Sequence, residues 1–487
     1  MIFKMIKTHN QIKIVVYLED MLICEYICIY QKRLNQFGAD LLKTTLLSWA
    51  TLDFSVADKI SIDIPLNLFE QEYIDMQYEY CTKSYVKVYD YEKAILSYTF
   101  TQDIRYREIL LEESYYLGYT EGKDSTLCKE LIESVGKKIN YYKVSYDDDE
   151  PAEDGHVFCN IINEELYNKY TITGWKSNSD IISFQQADDI HVTFACPYVY
   201  EKQNYSKYLA VGIPWDAIHD FVGGEPDLVP TETYHSIRLF ENLLNNYGLS
   251  GFRVISPIAS LHTYAVYGIL ERILGLKKLE KLDSCWDSYA YKGKACGYCP
   301  KCQRLKKVFW DCFGLDNDSD VPKLKIESAD FLFGSIYATK ILSLMSAENL
   351  KNTMFDDDCS KAFSGEFYDV IKNRFKLNVV EKVEFEFSLD DQKWDEVLNH
   401  LICVISIDYN KLNDEKCNHE EVPYLPFEKY YQWRRKEKVL NCYDIIQWND
   451  SSTNKLYVKK ISNGDRCIML PSTDLFNQYI KKTSFFD

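Results

Sequence analysis

Between residues 110 and 275 the apolar positions switch repeatedly from short continuous or alternating runs to a helical period. Strands are expected near 114–119, 139–146, 207–213 and 251–255, and helices near 125–135, 231–246 and 262–274. In the first of these helices Leu127, Cys128, Leu131, Ile132 and Val135 fall at helical spacing, and Gly136 stands where a C-cap is expected. Strands alternating with helices predict an α/β fold, a doubly wound parallel sheet of Rossmann-like type that binds ligands at the carboxyl ends of its strands. Before this segment, alternation over 12–17 and 85–91 predicts a β-rich N-terminal domain. After it, a helical stretch at 329–345 and strand-like stretches at 380–389 and 455–461 predict a mixed α/β C-terminal region.

Composition narrows the class. A chain of 487 residues, 46% hydrophobic and 15% aromatic, has material for about three cores and does not read as disordered. Lys4, Lys7, Lys13, Glu19 and Asp20 interrupt the N-terminal apolar positions, so neither a secretory segment nor a membrane span is expected and the reading is cytoplasmic. The net charge of −18 would repel a phosphate backbone over most of the surface, which argues against nucleic acid as a partner. The run of carboxylates at 147–154 reads as a solvated loop, and the basic cluster at 433–438 as an exposed helix face.

Two clusters carry chemistry. Cys285, Cys296, Cys299 and Cys302 make two consecutive CxxC steps, with Gly297 and Pro300 suited to the tight turns between them. Four thiolates fill a tetrahedral coordination sphere, so a structural Zn2+ is expected rather than a catalytic one. Upstream, the strand ending at Tyr119 runs into Thr120, Glu121, Gly122, Lys123, Asp124, Ser125 and Thr126, and a helix follows at once. That order directs backbone N–H groups, a helix dipole and several hydroxyls at one point, an anion cradle.

The cradle resembles the pyrophosphate-binding loop, SGGxDS, of the ATP-pyrophosphatase enzymes. Thr120 stands for its first serine, Gly122, Asp124 and Ser125 match, and Glu121 stands where the pattern has its first glycine. Loop and cysteine cluster together resemble the 7-cyano-7-deazaguanine synthase family over residues 110–315. Gly224, Glu225, Pro226 and Asp227 are similar to that family's G-Y-P-D element, Pro257 and Ile258 to its T-P-L segment, and Asp283, Ser284 and Cys285 to its T-x-S-C; Gln303 and Arg304 also fit. The lysine expected after T-P-L is not found in residues 260–264.

The resemblance implies domains at 1–108, 109–315 and 316–487, the middle one an ATP-dependent ligase. It implies ATP with Mg2+ as cofactor, held by Thr120, Gly122, Lys123, Asp124, Ser125 and Thr126, with Lys123, Asp124 and Ser125 catalytic. Asp216, Glu225 and Asp227 are implied to contact the substrate, 7-carboxy-7-deazaguanine. Adenylation of its carboxylate would be followed by attack of an amine. The long flanks, together with relatives in anti-phage defence, favour the N-terminus of a partner protein as acceptor. The alternatives are ammonia, giving the nitrile; a tRNA-modifying enzyme of the same superfamily; and an inactive, zinc-stapled binding module.

Overall fold

The computed structural model describes residues 1–89, 92–99, 106–144, 155–172, 190–200, 202, 204–218, 232, 234–279, 282, 312–313, 347–356 and 358–381, with four further strands between 405 and 470. The elements of the first half are β1 (Ile2–Lys7), β2 (Gln11–Leu18), β3 (Met21–Ile29), α1 (Gln36–Asp53), β4 (Lys59–Ile62), α2 (Leu68–Tyr89), β5 (Ile95–Tyr98), β6 (Leu111–Gly118), α3 (Lys123–Ser134), β7 (Ile139–Tyr142) and β8 (His156–Ile161). There follow α4 (Glu164–Tyr170), α5 (Ile190–Ala195), β9 (Tyr205–Ala210), α6 (Trp215–Ile218), α7 (Tyr234–Asn246), β10 (Arg253–Ile255) and α8 (Thr263–Leu274).

Two sheets organise these elements. The first has six strands in the order β5-β4-β1-β2-β3-β8, and its sixth strand comes from the segment after β7 rather than from the N-terminal region. Alternation places Ile12, Ile14 and Val16 of β2 on the same face as Cys24, Tyr26 and Cys28 of β3, all of them fully buried. The helix α1 packs on these two strands. It starts at Asn35, whose side chain accepts from the Gly38 N–H. Gly38 is required there, since a Cβ would overlap the Val199 backbone.

The alternation over 85–91 predicts a strand, whereas the structure continues α2 to Tyr89. A strong nucleus accounts for the difference: the Asn67 side chain accepts from the Glu70 N–H at 2.8 Å while the Glu70 carboxylate accepts from the Asn67 N–H at 2.9 Å. This reciprocal cap starts a helix that propagates through the short alternating run.

The second sheet has four strands in the order β10-β9-β6-β7, all parallel. The protein is thus a mixed α/β structure with an all-parallel sheet at its centre. Its strands overlap the predicted stretches, but β7 ends at Tyr142, β9 ends at Ala210 and β10 is reduced to Arg253–Ile255. Gly136, at φ 70°, follows the C-cap of α3 as expected.

Both sheets share one hydrophobic cluster, which includes Phe3 and Leu46 as well as Leu244 and Phe252. A buried ion pair stitches it together. Lys43 Nζ lies 2.9 Å from Glu70 Oε2, both side chains almost inaccessible, and the Tyr247 hydroxyl donates to Glu70 Oε1 at 2.8 Å. Burial pushes the Glu70 carboxyl up, and the Lys43 ammonium opposes that.

Residues 347–356 and 358–381 pack against the parallel sheet. The Phe355 ring stacks on Trp215 at 4.1 Å, the Phe355 N–H donates to the Ser260 carbonyl, and the Phe363 carbonyl accepts from the Ser256 N–H at 2.9 Å. Among the described residues no helix is long and apolar enough to cross a membrane. The helical stretch expected at 329–345, the acidic run at 147–154 and the basic cluster at 433–438 lie outside the described residues.

Candidate nucleotide-binding site

Strand order fixes where a ligand can enter. With β6 flanked by β7 on one side and β9 on the other, the chain leaves β6 in one direction and β9 in the other, and the crevice between their carboxyl ends is a topological switch point. The loop from Tyr119 to Gly122 opens into that crevice. It is anchored behind by Tyr115, Tyr116 and Leu117, each at most 2% exposed.

Backbone geometry shapes the loop. Glu121 has φ 59°, the left-handed region that glycine tolerates best, and Gly122 follows in extended conformation as the N-cap of α3. No side chain caps this end of α3. The first intrahelical bond runs from the Thr126 N–H to the Gly122 carbonyl at 2.9 Å, so the N–H groups of Lys123, Asp124 and Ser125 have no intrahelical acceptor at the positive end of the helix dipole.

Side chains complete the cradle. Lys123 pairs with Asp124, and its ammonium lies 5.9 Å from the Tyr267 ring centroid on α8. The Ser125 hydroxyl donates to the Gly122 carbonyl at 3.2 Å. Asp124 Oδ1 and Thr126 Oγ1 are buried and have no hydrogen-bond partner among the described residues. Buried oxygens without partners are costly, so a further donor or a cation at either one would restore the balance. One turn on, burial and then the Asp124 carboxylate hold the Cys128 thiol far above its ordinary range, so it is an inert core thiol.

The opposite wall is the segment leaving β9. A Cβ on Gly212 would come within 2.8 Å of Asp124 Cβ and 3.2 Å of the Asp124 carbonyl carbon. The next residue, Ile213, is tied to β10 through Ser256, whose hydroxyl donates to the Ile213 carbonyl at 2.6 Å and lies 3.2 Å from its N–H. The first turn of α3 is therefore held against two neighbouring strand ends.

Of the residues expected from sequence, Thr120, Gly122, Lys123, Asp124, Ser125 and Thr126 come together here, with Thr120 exposed at the mouth. Asp216 lies on α6, just past the carboxyl end of β9. Glu225, Asp227 and the four thiols Cys285, Cys296, Cys299 and Cys302 lie outside the described residues. Among the described residues no group of three or more His, Cys, Asp or Glu side chains is arranged to hold a metal. Gly212 and Ser256 were not singled out by sequence reasoning, although a glycine directly after a buried strand is itself a signal of close backbone approach.

Strand order and helix end together define a mixed α/β protein in which the N-terminus of α3 lies at the switch point of a parallel sheet. No protein-family model matches the chain, and no curated protein gives a significant match.

Proposed function

We propose that the chain is an ATP-dependent ligase of the ATP-pyrophosphatase type, built on a doubly wound parallel sheet, that adenylates 7-carboxy-7-deazaguanine and passes it to an amine. The observation that carries this reading is the first turn of α3, which no side chain caps, with Asp124 Oδ1 and Thr126 Oγ1 buried in it and without a partner among the described residues. It supports a triphosphate site: three N–H groups and the Lys123 ammonium suit the oxygens of the leaving pyrophosphate, and Asp124 Oδ1 suits a Mg2+ ion. The left-handed Glu121 supports it further, because the residue that departs from the SGGxDS pattern keeps the backbone form that a glycine would have there.

A carboxylate oxygen of the acid would attack the α-phosphorus. The new bond joins that carboxylate oxygen to the α-phosphorus, the bond from the α-phosphorus to the oxygen bridging to the β-phosphate breaks, and pyrophosphate leaves with its electron pair. The amine then attacks the acyl carbon, loses a proton and expels AMP. Lys123 and the first-turn N–H groups act on the first step, by holding charge on the departing oxygens. Bound Mg2+ would neutralise phosphate charge.

The acceptor we favour is the N-terminal amine of a partner protein, held by the regions flanking the ligase core, as in an anti-phage defence system. Zinc on Cys285, Cys296, Cys299 and Cys302 would staple the core. Mass spectrometry of the products formed from ATP, the acid and either ammonia or cell lysate tests the whole reading. A protein gaining the deazaguanine acyl mass supports it; conversion of the acid to the nitrile with ammonia, and no labelled protein, would move the chain to nitrile synthesis.

A further inference from the structure

Lys123 is held from two sides, by one charged group and one neutral one. Its ammonium pairs with the Asp124 carboxylate, next to it on α3, and lies over the Tyr267 ring of α8, 5.9 Å from the ring centroid. The ring is fixed in place. Tyr267 stands in the second turn of α8, is 1% exposed, and belongs to a helix that packs against α3. The Lys123 side chain is itself 11% exposed, so its ammonium sits largely out of water, where a ring face attracts a cation more strongly than at an open surface.

The two contacts respond differently to a ligand. Asp124 is the carboxylate offered to Mg2+ in the function proposed above, and a divalent cation on it competes with the ammonium for the same charge. Released from Asp124, a long side chain with four rotatable bonds would regain its conformational freedom. The ring meets no such competition. It holds the cation through its quadrupole and adds no net negative charge, whereas a second carboxylate beside Lys123 would repel phosphate oxygens.

We infer that Tyr267 is a positioning residue, whose ring holds the Lys123 ammonium at the N-terminus of α3 when a cation takes the Asp124 carboxylate. The inference rests on the reading of that helix end as a pyrophosphate cradle. It brings α8 into a site formed so far by the loop after β6, the first turn of α3 and the segment leaving β9. Lys123 then meets the leaving pyrophosphate from a fixed place, and less side-chain entropy is lost when the anion arrives.

Calorimetric titration of the full chain with inorganic pyrophosphate and Mg2+ tests the assignment through a cycle of variants. Tyr267→Leu removes the ring and should weaken binding about three- to tenfold, while Tyr267→Phe keeps the ring face and should stay within about twofold of wild type. Tyr267→Met, which fills more of the ring's space, takes the place of Tyr267→Leu should that variant not fold. In a Lys123→Ala background the same loss of the ring should have no further effect, because the ring acts through the ammonium. An equal loss with and without Lys123, a loss in Tyr267→Phe as large as in Tyr267→Leu, unchanged binding in a folded variant without the ring, or no pyrophosphate binding by wild type would each overturn the assignment. Ring-dependent binding that needs Lys123, in a protein that shows no acid-driven exchange of pyrophosphate into ATP, would leave the positioning role standing while the ligase reading fell. Acid-driven exchange and pyrophosphate binding that are both indifferent to the ring would do the reverse.

Discussion

Replacing Gly212 by alanine adds one methyl group at the narrowest point of the crevice. The added carbon would sit 2.8 Å from Asp124 Cβ, 3.2 Å from the Asp124 carbonyl carbon and 3.4 Å from the Ser125 nitrogen. Ordinary carbon contacts lie near 3.5–4.0 Å, and the neighbours are backbone and Cβ atoms with no rotamer to move, so the two segments must separate by roughly 0.7 Å or more. Ser256 holds Ile213 from behind, which leaves the first turn of α3 as the part that yields. Overpacking of this kind costs about 1–3 kcal/mol of stability. Function should suffer more, because misplacing a positioning group by about 1 Å can cost on the order of a hundredfold in rate. Thermal unfolding and pyrophosphate release by the purified variant check both. A variant with wild-type melting temperature and wild-type turnover would refute the close approach and, with it, the role given to this wall.

Other substitutions probe separate parts of the structure. Asp53 is fully buried; burial pushes its carboxyl up to about 7 although the Tyr26 and Tyr167 hydroxyls donate to it. Between the ordinary value of 3.8 and about 7 the unfolded chain releases a proton that the native state keeps, so this group's contribution to stability falls as pH rises through that window, by at most about 4 kcal/mol. Asp53→Asn should flatten the fall in melting temperature between pH 5 and pH 8, and an unchanged profile would contradict the burial argument. Glu121→Gly releases a left-handed residue but frees the unfolded chain, so stability should change by less than about 1 kcal/mol; Mg-ATP affinity by calorimetry should hold or rise, and its loss would count against the loop. Cys299→Ser should lower the melting temperature and the zinc content measured by metal analysis, since structural zinc contributes on the order of 10 kcal/mol coupled to folding; a full zinc complement in that variant would exclude the four-thiolate site.

The parallel sheet was legible because its strands are short apolar runs separated by helical periods, and the loop at 120–126 because strand, turn and helix follow one another without a gap. The helix α1 was not. Leu41, Leu42, Leu46 and Leu47 are buried, but so are Lys43, Thr44, Thr45, Ser48 and Thr51, and a helix enclosed on all sides has no polar stripe to give its period away. The pairing of β8 with β3 depends on contacts more than a hundred residues apart along the chain, which no local pattern encodes.

Exchange of labelled pyrophosphate into ATP, driven by 7-carboxy-7-deazaguanine and Mg2+, addresses the ligase reading most directly. Wild type should catalyse exchange only when the acid is present, and Asp124→Ala should abolish it while the variant still folds, since the side chain removed lies in the first turn of α3 and its work there is polar. Absence of acid-dependent exchange in the wild type, or undiminished exchange in Asp124→Ala, would contradict adenylation at this crevice.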